Sequence, residues 1–148
     1  MVKDGDGFDS FSNGQDEISG REIQLAEILK FIKDESIKNV VFLTSDVHFT
    51  AAISFDPMRS KFQDFNPFYE FVVGPLHAGA FGPGELDPSF GEEYEYLRAP
   101  ETEGLPANSP PPHLQSFGMV EVDESGMLTI KLIDITGEVL FDKQLKAK

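Results

Sequence analysis

The chain has no cysteine. That removes disulfides, iron–sulfur clusters and thiolate chemistry, and leaves the compartment open. No apolar run reaches the roughly 18 residues a membrane-spanning helix needs. A charged-then-apolar leader is also missing from the N-terminus, so neither a transmembrane helix nor an intact signal peptide is expected. Basic residues are scarce, 12 Lys and Arg against 26 Asp and Glu, for a net charge of −14. Such a surface repels nucleic acid and anionic membranes. It also repels phosphate, unless a bound cation reverses the local sign. What remains is 148 residues with 40% hydrophobic content, enough for one ordinary core, so a single domain over 1–148 is expected.

Residues 1–18, "MVKDGDGFDSFSNGQDEI", mix glycine, asparagine and acids without a period and read as loop. Ser19 and Glu22 fit a capping box. Ile23, Leu25, Ala26, Ile28, Leu29 and Ile32 follow at helical spacing, predicting an amphipathic helix over about 20–35 with Glu27, Lys30 and Lys33 on its polar face. Val40 to Thr44 is a continuous apolar strand, a type usually covered on both faces. Ala51–Phe55 and "FYEFVVG" (68–74) read as further strands. The region 76–116, rich in glycine and proline, reads as a long irregular segment of the sort that is often functional. Its acidic run "GEEYEY" is taken as solvated surface, and Asp87 as a turn cap before Pro88. Met119–Val122, Met127–Asp134 and Glu138–Leu145, separated by turns at 124–126 and 136–137, predict an antiparallel meander.

The chemistry concentrates in "VVFLTSDVHFTA", residues 40–51. Ligands in α/β proteins gather outside the carboxyl ends of strands. Asp46 and His48 stand there, two positions apart, and a curled loop would turn both toward one point. A carboxylate with an imidazole suits divalent or trivalent metals. An aspartate cap beside a packed histidine is the plainer alternative. "DGDGFDS" invites comparison with a calcium-binding EF-hand. Counted from Asp4, however, positions 5, 6 and 12 hold Phe8, Asp9 and Gln15, and the motif fails at all three.

Helix, strand and "SDVH" together resemble the PhoD-like alkaline phosphatases of the binuclear metallophosphoesterase superfamily, whose signature is G-D-V-H; Ser45 stands for the glycine. The resemblance continues through "EFVVGPLHAGAFGPGELDPSFG" (70–91) and "QSFGMVEVDESGMLTIKLIDITGEVL" (115–140), in the family's order. "DGFDSF" (6–11) is similar to its D-x-W-[DN]-G-Y.

The resemblance implies an α/β fold, namely the C-terminal half of a metallophosphoesterase-type αββα sandwich ending in an antiparallel β-meander. Within it, 1–18 is a metal-loop remnant, 19–75 holds the helix and buried strands, 76–116 borders the active site and 117–148 is the meander. It implies Asp6 and Asp9 as calcium ligands, Asp46 as a metal ligand, and His48 as the catalytic residue close to metal or phosphate. His77, in "GPLHAGAFG", is a candidate on the substrate-side loop, with a plain surface histidine as the alternative.

The implied activity is metal-dependent hydrolysis of phosphate mono- or diesters by metal-activated water, with calcium and, in the complete enzyme, iron. The implied setting is extracytoplasmic. The family's N-terminal half, including its cysteine ligand to iron, has no counterpart in this sequence. A C-terminal portion, inactive alone, is therefore expected, with the N-terminal half or another chain as partner. A non-catalytic binding or structural domain of the same descent is the second reading.

Overall fold

A computed structural model describes residues 20–86, 88–100 and 112–148. The expectations for residues 1–19 and for Asp87 fall outside them.

Helix α1 spans Arg21–Asp34. Its N-cap is Gly20, at φ 56 and ψ −121, with no side-chain cap bond. The chain therefore enters the helix on a conformation that suits glycine and that residues with a Cβ rarely adopt. Glu22, Leu25, Ala26 and Leu29 are buried, the i, i+3, i+4, i+7 stripe of an amphipathic helix. Ile23, Ile28 and Phe31 stay about half exposed, so the covered face is narrower than the run of apolar residues implied. On the outer face Lys30 and Lys33 share Asp64, an exposed pairing that adds little stability.

The first sheet comprises β1 (Val41–Thr44), β2 (Thr50–Phe55), β3 (Phe68–Val72) and β4 (Glu92–Arg98), in the order β1-β3-β2-β4. β1 runs parallel to β3, and β2 is antiparallel to both of its neighbours. β1 is thus an edge strand, only partly covered, with Leu43 51% exposed. This corrects the expectation of a strand buried on both faces. The continuous apolar run reflected an edge, not a centre.

β4 is the second correction. The "GEEYEY" run is a strand whose Glu93 and Glu95 point to solvent while Tyr94 and Tyr96 turn inward. The irregular region of 76–116 is accordingly interrupted, and Pro88–Phe90 adds a 3₁₀ turn.

The second sheet is the meander β5 (Ser116–Val122), β6 (Met127–Asp134) and β7 (Val139–Lys146), antiparallel throughout. Its two turns share one device. Asp123 Oδ1 accepts from the Ser125 amide and hydroxyl and the Met127 amide. Asp134 Oδ1 accepts from the Thr136 amide and hydroxyl and the Glu138 amide. Both are aspartate turns in the sequence D-x-[ST]-G, with Gly126 and Gly137 at positive φ. These donors hold both carboxylates below their usual 3.8.

Strand alternation divides the core. Ala51, Ile53, Phe55, Phe68 and Val72 face α1 and join Leu25, Ala26, Leu29, Phe49, Phe65 and Phe90. Ala52 and Phe71 face the meander and meet Ile130 and Leu132, all four fully buried. The first sheet thus has the helix against one face and the second sheet against the other. Phe49, Phe55, Phe71 and Phe90 are essentially inaccessible, each contributing about 1.5–3 kcal/mol by burial. Among the described residues the fold is mixed α/β, with two sheets and one α-helix.

Candidate metal and phosphate site

The parallel pair β1 and β3 ends at Thr44 and Val72. Past these ends the chain forms two short loops, Ser45–Phe49 and Val73–Phe81. Between them lies a cleft of about 280 Å³ lined by Ser45, Asp46, His48, Phe49, Val73, Gly74, Pro75, Leu76 and Ala78. Among the described residues, Asp46 and His48 are the titratable groups of its lining.

Asp46 (φ 84) and His48 (φ 57) both adopt the left-handed conformation, around a buried Val47. That region costs an L-residue about 1–2 kcal/mol, although Asp and His tolerate it better than most. The alternation drives Val47 into the core and leaves its neighbours at the cleft. This is the curl expected from the sequence. The Asp46 carboxylate is exposed, with no hydrogen bond or ion pair to a described residue.

His48 is half-buried and fixed at three points. Its Nδ1 lies 2.8 Å from the Gly79 carbonyl, its own carbonyl accepts from the Phe81 amide at 3.3 Å, and its ring lies 5.0 Å from that of Phe81. A carbonyl only accepts, so Nδ1 carries the proton and donates. The neutral ring therefore has its lone pair on Nε2. A ring held by one nitrogen on a backbone carbonyl is the usual second support of a metal-bound histidine.

The Gly74–Ala80 loop is held as firmly. The Thr50 hydroxyl donates to the Gly74 carbonyl at 2.9 Å and accepts from the Ser116 hydroxyl, which also lies within reach of that carbonyl, and all of this is buried. The Gln115 amide donates to Ala78 carbonyl, and the Ser116 amide to Pro75 carbonyl. Thr44, the last residue of β1, donates its hydroxyl to the buried Glu70 carboxylate. Thr50, Glu70, Gln115 and Ser116 were not legible as site residues, because each acts on the loops across the sheet. The one signal was the polar spacing of Glu70 within an otherwise apolar strand.

His77 is exposed on the loop, outside the cleft lining, and His113 is exposed on the Pro112–Leu114 turn. Asp6 and Asp9 lie outside the described residues. Arg98 reaches the same end of the sheet opposite Thr50, with its guanidinium 3.9 Å from Asp134.

A carboxylate and an imidazole nitrogen suit divalent cations. The chemistry of this pair therefore fits part of a metal shell. Among the described residues, no group of three or more His, Asp or Glu comes together as a complete one.

Residues 2–132 match the family model described as PhoD-like phosphatase. No curated protein and no solved structure gives a significant match.

Proposed function

The chain belongs to the PhoD-like phosphatase family, and from that premise we propose that it forms part of a metal-dependent phosphoric ester hydrolase acting on mono- or diesters. The observation that carries this reading is the placement of Asp46 and His48 at one cleft past the ends of β1 and β3. Asp46 would hold a divalent metal, and His48, through Nε2, would hold metal or orient phosphate. Asp6 and Asp9 are proposed to hold calcium, and iron belongs to the complete centre. A bound metal would lower the pKa of water and neutralise charge developing on the phosphoryl oxygens. The chain's own part is to fix its two donors: Gly79 sets the tautomer of His48, and Val47 anchors the loop that presents Asp46. In a chain of −14 the cation also makes phosphate binding possible at all.

The remaining donors would come from outside the described residues, including another polypeptide segment of the same αββα sandwich. The two-donor set among the described residues also favours a second reading, a non-catalytic domain descended from the phosphatase fold.

Phosphate binding measured by calorimetry, with calcium or manganese and with chelator, separates the readings. Metal-dependent binding that disappears in Asp46→Asn supports the phosphatase part. Absence of binding under every condition supports the non-catalytic domain. Hydrolysis of p-nitrophenyl phosphate by the chain alone, at the rate of a complete enzyme, would overturn the proposal that its metal shell is unfinished.

A further inference from the structure

The chain turns twice between α1 and β1, with positive φ at Ser36 and again at Asn39. Between these turns Ile37 stands 43% exposed. Beside it a cavity of about 260 Å³ opens between Leu29 and Ile32 of α1, Phe42 of β1 and Phe68 of β3. One wall is aromatic. The Phe42 and Phe68 rings lie 5.0 Å apart, and Phe68 stacks on Phe55 at 4.4 Å. The cavity sits at the entry ends of the parallel pair β1 and β3, whereas Asp46 and His48 lie past their exits.

Charge around this cavity runs against the trend of the chain. Elsewhere the basic side chains are matched by acids: Lys30 and Lys33 pair with Asp64, Arg59 with Asp56 and Glu93, Lys131 with Glu121 and Lys143 with Glu95. Lys38, Lys61, Lys146 and Lys148 form no ion pair with a described residue. Three of these four gather in one place. Lys38 and Lys148 line the cavity, and Lys146 and Lys148 line the cleft that adjoins it. Among the described residues neither lining includes an Asp or Glu, although the chain has 26.

The backbone fixes these charges and leaves them unopposed. The Lys148 amide donates to Asn39 Oδ1 at 2.9 Å, which ties that lysine to the loop before β1. An open helix C-terminus would set partial negative charge beside the lysines. Here the Phe31, Ile32 and Lys33 carbonyls accept from the Glu35, Ile37 and Ser36 amides, so the end of α1 is closed. Small-molecule sites are concave and mostly apolar, with a few polar groups that fix orientation. This cavity has that composition, and its polar groups are cations.

We propose that the cavity binds a small amphipathic carboxylate, with an aromatic body against Phe42 and Phe68 and the carboxylate meeting Lys38 and Lys148. Its volume is below the roughly 300–1,000 Å³ of sites for drug-sized molecules, so one ring with a short acid chain suits it and a long acyl chain does not. Inorganic phosphate would satisfy the lysines but leave the apolar walls wet. A neutral apolar molecule would do the reverse. A second copy of the chain is disfavoured by −14 facing −14. The proposal stands on the fold alone and is independent of the phosphatase reading.

The probe is 3-phenylpropionate, beside 3-phenylpropanol as its uncharged counterpart and acetate as the head group alone. NMR titration of the full chain at low salt should give saturable shifts at the Leu29, Ile32 and Ile37 methyls and leave Leu76, in the cleft of Asp46, unmoved. The alcohol and acetate should each bind about tenfold more weakly or worse. Lys38→Glu should weaken 3-phenylpropionate by a similar factor, while Lys61→Glu, which reverses an unpaired lysine outside the cavity, should leave it unchanged. Both lysines are exposed, and Lys148→Gln repeats the test if Lys38→Glu unfolds. Three results would overturn the proposal: no saturable shift at those methyls, equal affinity for the alcohol, or an equal loss in Lys61→Glu, which would reduce the effect to a general attraction for anions. Methyl shifts that follow chain concentration without the probe would assign the cavity to a second copy and overturn it as well.

Discussion

Three glycines separate two costs that are usually entangled. Gly137 has φ +91 and open space where a Cβ would go, so Gly137→Ala meets conformational strain alone. The left-handed region costs an alanine about 1–2 kcal/mol. Gly118 lacks that strain, but a Cβ there would come within 2.5 Å of Val73 Cγ1. Val73 can turn about one bond, so Gly118→Ala should lose about 1 kcal/mol, at the low end of overpacking. Gly91 combines both conditions: φ is +64, and a Cβ would fall 2.3 Å from the Asp56 carbonyl and 3.0 Å from the Ser60 amide, neither of which can rotate away. Strain plus a backbone clash gives about 2–5 kcal/mol, a large share of the roughly 5–15 kcal/mol by which domains are stable. Urea melts of the three variants, with Gly82→Ala as the unstrained and uncrowded control, provide the values. The order should be Gly91 first, the other two well behind it, and Gly82 near the parent. A Gly91→Ala within about 0.5 kcal/mol of the parent would refute the seating of this turn against residues 56–60.

Further predictions concern the turns and the site loop. Because Asp123 and Asp134 are held below 3.8 in the folded chain, their stabilisation is complete above that value and is lost as the pH falls through the lower, folded one. Thermal melts from pH about 5 to about 2 should therefore fall steeply, and Asp134→Asn should flatten the fall; an unchanged slope would contradict this. His48→Ala removes the bond to Gly79 and the ring against Phe81. Exchange at the Phe81 amide should quicken while Ile130 and Leu132 keep the protection of the core, and equal acceleration at both would mean global loosening instead. Phe71→Ala, opening a cavity between the sheets, should lose about 3–5 kcal/mol; a loss under about 1 kcal/mol would show that the inter-sheet core is not packed as described.

Elements with a strong local period were readable from the sequence. The helix is recovered within a residue or two, β2 and β3 nearly so, and the meander with its turns in place. Periodicity failed where local and tertiary signals diverge. The strand β4 was hidden because three glutamates and two tyrosines read as surface, although the alternation from Glu93 to Tyr96 has the period of a strand. The β1 run looked like a central strand, since apolar content cannot distinguish an edge that lacks a neighbour from a centre that has two. In the site, the D-x-H pair and its curl were legible because they are local. Its supports, Gly79, Gln115, Thr50 and Ser116, lie 24 to 42 positions from the groups they hold and leave no local trace.

The central claim is that Asp46 and His48 are donors to a metal. Thermal melts of the parent, Asp46→Asn and His48→Ala, each with chelator, calcium, manganese or ferrous iron, test it most directly. A cation at about a hundredfold over its dissociation constant stabilises the folded chain by about 2.7 kcal/mol, or roughly 5–10 °C at this size. The parent should show that rise with at least one metal, and Asp46→Asn should lose it while being no less stable than the parent in chelator. Equal metal-induced shifts in parent and Asp46→Asn, or no shift in the parent with any of the three metals, would contradict the assignment.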